Sequence, residues 1–223
     1  MADRDIERVK ELISYIVLTI LFTFTLAKDR PVPRNLLGKP SIFRLLDSMV
    51  SQLRHQDHVT VVFDGKDVGN VTSAVGDILS KMPGLNSLIM EQKNANDWGA
   101  TVRNKHMLRE GDFMMFADDD NWFEPDAFDT VRTVVQHDFD ALYVFQYRHS
   151  QLPNYFIPEL DINGEVEPGN VDTGCGVVPI KHSHLSNWPE GDYEADGKFY
   201  HKLSEVMPRT YLVKKVIFVY NGH

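Results

Sequence analysis

Short apolar runs and helix-like repeats of apolar residues alternate along most of the chain. The apolar or β-branched runs predict strands over residues 13–27, 58–63, 87–90, 112–117, 139–147, 177–180 and 209–220. Apolar residues at helical spacing predict helices over 3–12, 41–53, 71–82, 99–108, 124–135 and 196–206. This alternation predicts an α/β fold with a central, mostly parallel sheet and helices on both of its faces.

The pattern changes in the second part of the chain. Residues 150–170 are rich in Pro, Asn, Gly and acidic side chains, which predicts an irregular crossing or a hairpin. We therefore expect a smaller antiparallel portion there. A length of 223 residues fits one domain with a sizeable core. The chain stops directly after its last predicted strand, and we interpret this as a domain cut from a longer polypeptide.

Residues 13–27 are apolar enough to raise the question of a membrane anchor. The stretch is shorter than the roughly 20 residues that a spanning helix needs, and charged residues flank it on both sides. Residues 22–26 alternate with a period of two, and β-branched and aromatic side chains dominate the stretch. A central strand is therefore favoured over a signal anchor or signal peptide, and no stable membrane insertion is expected.

The charge of the chain excludes some partners and compartments. The net charge is −9, and no basic stripe offsets this acidity, which argues against nucleic acid as a partner. The single cysteine, Cys175, allows no internal disulfide framework and no zinc cluster. A reducing compartment is the default for such a chain, and we expect a cytoplasmic protein.

One apolar run ends directly in three consecutive carboxylates, Asp118, Asp119 and Asp120. Acidic side chains crowded at the end of a strand repel one another and lose hydration, so a divalent cation is the simplest counter-charge. Hard carboxylate oxygens suit Mg²⁺ or Mn²⁺, and these ions usually bring a phosphate with them. The pattern predicts a metal-bridged nucleotide at the carboxyl edge of the sheet. The alternative is a solvated acidic turn before a helix.

Polar side chains follow three of the predicted strands. Thr25 and Arg30 lie at the end of the first strand, Asp64 ends the second, and the three aspartates end the fourth. The carboxyl ends of parallel strands meet at one edge of a sheet, and ligands of α/β proteins bind there. These groups are therefore expected to converge in space.

This succession of motifs resembles the nucleotide-sugar-dependent glycosyltransferases of the GT-A fold, especially the family-2-like group. Residues 24–30 are similar to the Thr- or Arg-bearing opening of that family, and residues 61–65 to its strand that ends in Asp. Residues 94–104 match its Asn, Gly and Arg-Asn signature, and residues 111–120 match its Asp-x-Asp strand. The resemblance covers residues 20–130. The chain also resembles a small viral glycosyltransferase domain encoded by a chlorovirus, which implies a place in the host cytoplasm.

The resemblance implies a single Rossmann-like GT-A domain, with a nucleotide-sugar-binding half over about 14–130 and an acceptor-binding half over about 131–223. It implies a hexosyltransferase that uses Mn²⁺ or Mg²⁺ and moves a sugar from a nucleoside diphosphate, preferably UDP, to a hydroxyl of a glycan acceptor. The implied metal ligands are Asp120, Asp118 and His223. The implied nucleotide- and sugar-binding residues are Thr25, Arg30, Asp64, Asn94, Arg103, Asp118, Asp119 and Asp172.

An inverting transfer also needs a carboxylate that takes the proton of the acceptor hydroxyl. The family places this base as the second acid of a pair that opens a late helix, whereas Ala195 separates Glu194 from Asp196 in this chain. We favour Asp196, then Glu194, then Asp192. The alternative is that these acids cap the helix and favour its positive end.

A small-residue loop and the tryptophans complete the candidate site. Residues 170–176 resemble the loop beneath the donor sugar, where glycine lets the backbone approach a ring closely. Cys175 within it is favoured as a packing residue over a nucleophile, since no paired base is apparent. Trp98, Trp122 and Trp188 either stack on sugars or pack in the core.

Two other functions stay open at this point. A sugar-nucleotide nucleotidyltransferase also uses acids and a metal beside an α/β sheet, but it would carry a Gly-rich phosphate loop just after the first strand. This chain has no glycine there until Gly38, which counts against that class. The other alternative is a non-catalytic module that binds a nucleotide or a sugar.

Overall fold

The computed structural model describes residues 18–25, 41–65, 70–91, 97–107, 110–152, 154–158 and 166–221. Its strands are β1 (Leu18–Thr25), β2 (His58–Asp64), β3 (Leu85–Met90), β4 (Phe113–Asp118), β5 (Trp122–Phe123), β6 (Ala141–His149), β7 (Phe156–Ile157), β8 (Gly176–Pro179) and β9 (Arg209–Tyr220). Its α-helices are α1 (Ser41–Val50), α2 (Asn70–Leu79), α3 (Ala100–His106), α4 (Ala127–Val135) and α5 (Ala195–Val206). Short 3₁₀ helices span Thr173–Cys175 and Ile180–Leu185.

All strands of these described ranges join one sheet, in the order β3-β2-β1-β4-β8-β6-β9-β5, with β7 paired to β6. The first four strands of this order are parallel to one another, and β6 is parallel to β9. Between these two parallel blocks, β8 runs antiparallel to both β4 and β6. The mixed α/β fold therefore agrees with the prediction, including its antiparallel portion in the second part of the chain.

The first strand is central, as the pattern of residues 13–27 predicts. It lies between β2 and β4 and pairs with both, and Leu18 and Ile20 are fully buried. Central strands of mostly parallel sheets are typically rich in apolar side chains, which agrees with the membrane-like composition of this stretch. None of the helices in the described ranges has the length and apolar character needed to cross a bilayer. The helix predicted over residues 3–12 lies outside those ranges.

The helix predicted to start at Glu124 begins at Ala127 instead. Residues 122–123 form β5, and the amide of Glu124 donates to the carbonyl of Ile217 at 2.9 Å, which continues the pairing with β9. Asp126 then adopts a φ of 63° directly before the helix. A two-residue strand has no periodicity, so the sequence pattern did not distinguish it from the helix that follows.

A buried ion pair lies within this core, between Arg132 of α4 and Asp57, whose side chains are both inaccessible to solvent. The carboxylate of Asp57 also accepts from the amide of Leu18 at 3.1 Å and from that of Arg54 at 2.7 Å. Burial raises the pKa of Asp57, and the neighbouring Arg132 opposes that rise. This pair connects β1, the turn before β2, and α4. Local sequence patterns do not predict this pair, since 75 positions separate the partners.

Candidate active site

A cavity of about 740 Å³ opens at the carboxyl ends of β4, β6 and β9 and beside the start of α5. Its lining is strongly acidic. Among the described residues that line it, seven are carboxylates and only Arg103 and His149 are basic. The seven acids are Asp118, Asp119, Asp120, Asp172, Asp192, Glu194 and Asp196. The structure thus brings together the aspartates after β4 and the acids predicted from the second part of the chain.

Arg103 lies beneath this acidic lining and is only 3% exposed. Its guanidinium forms an ion pair with the carboxylate of Asp118 and donates to the carbonyl of Trp98 at 3.0 Å. The same group lies over the indole of Trp188, 4.5 Å from the ring centroid. A planar guanidinium can bind a carboxylate and stack on an aromatic face at once, and lysine could not replace it here. Arg103 therefore fixes one oxygen of Asp118.

Local hydrogen bonds at both ends of α3 position Arg103. The carboxylate of Asp97 accepts from the amide of Thr101 at 2.8 Å and from its hydroxyl at 2.5 Å, which caps the start of the helix. The side chain of Asn104 donates to the carbonyl of Trp188 at 2.9 Å and accepts from its amide at 2.8 Å. The Arg-Asn pair at residues 103–104 therefore ties α3 to the segment before α5.

Asp196 lies in the first turn of α5 and lines the same cavity as the ion pair between Arg103 and Asp118. Its carboxylate accepts from the amide of Gly197 at 2.7 Å. Burial raises the pKa of Asp196 to about 6, the negative charge of Asp118 adds to the rise, and Arg103 opposes it. A carboxylate tuned in this way exchanges protons close to neutral pH.

The two neighbouring acids have a different environment. Lys198 donates to the carboxylate of Asp192 at 2.7 Å and approaches that of Glu194 at 3.4 Å. Glu194 is exposed, and its side chain makes no capping hydrogen bond to α5. The pKa of Asp192 is lowered, chiefly by this lysine. Asp196 therefore differs from Asp192 and Glu194 in its charged neighbours and in its degree of burial.

Asp172 caps the 3₁₀ helix Thr173–Cys175 and accepts from the amide of Gly174 at 3.3 Å. Burial raises its pKa well above the usual range, and the negative charges of Asp196, Asp118 and Asp120 add to the rise. The carboxylates from the two parts of the chain are thus close enough to repel one another. Among the described lining residues, Arg103 and His149 are the basic side chains set against this crowding.

A divalent cation fits the chemistry of this lining. Asp118, Asp119 and Asp120 offer hard oxygen donors at the end of a buried strand, and the repulsion felt by Asp172 is what a cation would relieve. Within the described ranges, no three acidic, histidine or cysteine side chains already stand in an arrangement that would hold a metal. Mg²⁺ and Mn²⁺ sites commonly use one or two carboxylates and complete their coordination with substrate phosphates and water. The donor set therefore suits a cation that arrives with a diphosphate.

The remaining predicted residues lie elsewhere or outside the described ranges. Asp64 is 1% exposed and ends β2 at the same sheet edge, where it pairs in register with Thr25, but it does not line the cavity. Only the backbone of Thr25 is described. Arg30, Asn94 and His223 lie outside the described residues. The chain before His223 is anchored beside the aspartates, because the amide of Asn221 donates to the side chain of Asn121 at 2.9 Å.

The glycines of residues 170–176 have a different role from the predicted one. A Cβ atom on Gly174 would lie 2.3 Å from the ring of Phe218, and one on Gly176 would lie 1.9 Å from that of Tyr200. Both glycines therefore make room for core rings rather than for a ligand. Cys175 between them is fully buried, and burial raises the pKa of its thiol, as expected for a packing residue.

The three tryptophans also have different roles. Trp188 is 1% exposed and stacks on Phe199 in the core, with ring centroids 4.6 Å apart. Trp122 lies under the guanidinium of Arg44, away from the acidic cavity. Trp98 lines the cavity and is half exposed.

Several lining residues were missed by the sequence analysis, namely Asn121, Tyr147, His149, Tyr193 and Tyr220. Tyr147, His149 and Tyr220 lie at the ends of the adjacent strands β6 and β9, with the ring of Tyr220 5.8 Å from Tyr147 and 5.5 Å from His149. Burial raises the pKa of Tyr147, and the nearby charge of Asp172 adds to the rise. Tyr147, His149 and Tyr220 could have been found from the sequence in the same way as Asp118, because they too are polar side chains at the carboxyl ends of predicted strands.

Comparison with known proteins defines the fold. No protein-family model matches the chain, and no curated protein matches it in sequence. Solved structures do match: the chain has the mixed α/β GT-A fold seen in glycosyltransferases.

One similar structure is S. aureus TarS 1–349, with a TM-score of 0.70 and 15% identity over 92% of this chain and 60% of that one. The TarS complex with UDP-GlcNAc gives a TM-score of 0.68 and 15% identity over 93% of this chain and 59% of that one. The mannosyltransferase PcManGT from Pyrobaculum calidifontis, in complex with GDP-Man and Mn²⁺, gives a TM-score of 0.64 and 16% identity over 96% of this chain and 62% of that one. The chain thus spans about 60% of these neighbours.

Proposed function

We propose that this protein is a metal-dependent glycosyltransferase that moves a sugar from a nucleoside diphosphate to a hydroxyl of a glycan acceptor, with inversion of the anomeric carbon. The observation that carries the proposal is the acidic cavity itself. Its lining contains Asp118, Asp119 and Asp120 together with Asp196, whose pKa is raised. The fold neighbours support it, because TarS binds UDP-GlcNAc and PcManGT binds GDP-Man with Mn²⁺.

On the donor side, Asp120 and the open oxygen of Asp118 would hold Mn²⁺ or Mg²⁺. A cation there neutralises charge on the diphosphate and so makes it a better leaving group. Arg103 holds Asp118 in place, and Asp119 is buried beside it. Asp64 would accept from the imide N–H of uracil, which favours a UDP donor, and Thr25, Arg30 and Asn94 would contact the nucleotide.

On the acceptor side, Asp196 would take the proton of the attacking hydroxyl. The oxygen of that hydroxyl bonds to the anomeric carbon as the bond from this carbon to the diphosphate oxygen breaks, and the diphosphate leaves with the bonding electrons. Lys198 forms ion pairs with Asp192 and Glu194, whereas Asp196 is half-buried and has a pKa raised to about 6. This contrast supports the choice of Asp196 over Glu194 as the base. Asp172 would bind hydroxyls of the donor sugar.

A donor panel tests the proposal. Nucleotide release and thermal shift are measured with UDP-Glc, UDP-GlcNAc and GDP-Man, each with Mn²⁺, with Mg²⁺ and with EDTA. We expect a response to a UDP-sugar that EDTA abolishes and that Asp120→Asn removes. Asp77→Asn is the matched control, because Asp77 is an exposed acid on α2 outside the cavity.

Three results would change the assignment. A response to GDP-Man alone would replace uridine with guanosine as the donor base. Binding without any turnover, even with acceptor present, would favour a non-catalytic module. No response to any nucleotide or divalent cation would contradict the proposed function.

A further inference from the structure

Two exposed aromatic side chains stand together at the rim of the acidic cavity. The side chain of Trp98 is 51% exposed and that of Tyr193 is 78% exposed. Their ring centroids are 5.8 Å apart and their planes meet at 83°, and both residues line the cavity. Large apolar rings left in water beside a polar cavity are typical of a ligand-binding edge.

The backbone holds Trp98 at this rim in a conformation that tryptophan rarely adopts. Its φ is 54°, in the left-handed region, and Gly99 follows with a φ of 84°. The carbonyl of Trp98 accepts a hydrogen bond from Arg103, which fixes this turn from below. Such strain persists only where the surrounding structure enforces it, and it collects at ligand sites.

The two rings come from the two sides of the reaction. Trp98 precedes α3, the helix that carries Arg103 and thereby contacts Asp118. Tyr193 lies three residues before Asp196, at the start of α5. A sugar ring that packs on both rings would therefore lie between the donor side and the proposed base, where its hydroxyl can be deprotonated.

The charge of the cavity restricts which sugar can lie there. Among the described residues of the lining, seven are acids and two are basic, Arg103 and His149, with Lys198 nearby. A donor diphosphate and its divalent cation roughly cancel one another, so the surplus of negative charge remains when the donor is bound. An acceptor that carries phosphate, sulfate or carboxylate would be repelled.

We propose that the acceptor is an uncharged glycan whose terminal sugar ring packs on Trp98 and Tyr193. The inference rests on the proposed function and adds the class of the acceptor. The C–H groups on one face of a pyranose pack against an aromatic ring, while its hydroxyls reach the carboxylates below. The aromatic rings at the rim and the acidic side chains inside the cavity both favour an uncharged sugar.

A glycan array tests this inference. The full chain is applied with UDP and Mn²⁺ to an array that carries neutral oligosaccharides beside sulfated, sialylated and uronate-containing ones. We expect binding only to neutral glycans. Trp98→Asn and Tyr193→Ala should each lower the affinity for the bound glycan at least tenfold, and in turnover they should raise the acceptor KM more than the donor KM. Asn tolerates the left-handed backbone, so Trp98→Asn removes the ring without adding strain.

Tyr211→Ala is the matched control. Tyr211 is 42% exposed and stacks on another tyrosine, Tyr143, with ring centroids 5.3 Å apart, but it does not line the cavity. It should leave glycan binding unchanged. Preference for anionic glycans, absence of glycan binding, or an equal loss in Tyr211→Ala would overturn the inference.

Calorimetry of UDP with Mn²⁺ on the same samples separates the two proposals. If UDP binds and the glycan pattern fails, only the inference about the acceptor falls. If UDP itself does not bind, the proposed function falls and the inference falls with it.

Discussion

Two groups of carboxylates stand in contrast in this molecule. Asp57 lies in the core, where an arginine and two backbone amides surround its carboxylate. The cavity holds seven acids in its described lining, and Arg103 is the one arginine among those lining residues. Both groups contain carboxylates with raised pKa values, but in the cavity the negative charges of neighbouring acids add to the rise, whereas in the core an arginine opposes it.

The two groups differ in how their charges affect the protein. A core ion pair whose carboxylate accepts hydrogen bonds on both oxygens fixes the relative position of the elements it joins. A cluster of acids that repel one another stores free energy that a cation, a proton or a substrate can release.

Asp196→Asn is expected to lower kcat by about 10² to 10⁴-fold, because it removes the proposed proton acceptor. The affinity for UDP with Mn²⁺ should change little, since Asp196 is not among the proposed ligands of the cation or the nucleotide. Turnover with an acceptor from the glycan array and calorimetry with UDP measure the two quantities. Glu194→Gln is the comparison variant, and an equal loss of kcat in it would reassign the base.

Arg132→Met is expected to destabilise the fold by about 3–5 kcal/mol, because it leaves the charge of Asp57 buried without its partner. The double variant with Asp57→Asn should recover much of this loss. Asn keeps an acceptor for the amide of Leu18 and carries no charge. Denaturant unfolding of the single and double variants measures the coupling between the two residues. Additive losses would contradict the account of the core pair.

The pH dependence of turnover should follow Asp196. A base with a pKa of about 6 is protonated below that pH, so kcat/KM should fall about tenfold per unit below pH 6 and level off above it. A bound cation favours the carboxylate and should shift the inflection to lower pH. The folded pKa is above the unfolded value, so the stability contributed by this proton is complete below pH ~4 and is lost as the pH rises through about 6. A flat profile from pH 5 to 8 would argue against Asp196.

Asp172→Asn is expected to stabilise the protein by about 1 kcal/mol at pH 7 in the absence of metal, since it removes one of the repelling charges. Asn can still accept from the amide of Gly174. The midpoint of thermal unfolding should rise by about 2–4 °C for a chain of this size. The control is Asp77→Asn, which should leave the midpoint unchanged. A loss of stability in Asp172→Asn would show that the acids do not strain the fold.

The sequence located the parts of this architecture that depend on local pattern. The apolar runs gave the position of the strands, and the run that ends in Asp118, Asp119 and Asp120 marked the wall of the cavity. Asp172 and Asp196 were named as site residues through the resemblance. The strand-end rule predicted convergence with Asp64 instead, and Asp64 does not line the cavity. The structure bears out the mixed α/β fold of the prediction.

What the sequence did not give depends on contacts between distant residues. The alternation of strands and helices predicted a strand at residues 177–180 but not its place in the sheet, between β4 and β6. The partners of Asp57 and Arg132, and of Arg103 and Asp118, come from different elements. Glycine is needed at positions 174 and 176 because the rings of Phe218 in β9 and Tyr200 in α5 leave no room for a side chain. No local period encodes such pairings.

Mn²⁺ electron paramagnetic resonance is the most direct test of the central claim that the aspartates after β4 bind a cation together with a nucleoside diphosphate. The signal of free Mn²⁺ is measured as UDP is added to the wild-type protein and to Asp120→Asn. The account predicts that the wild type removes Mn²⁺ from solution in a UDP-dependent way and that Asp120→Asn loses this effect beyond what UDP alone produces. Equal uptake by both proteins, or none by the wild type, would contradict it.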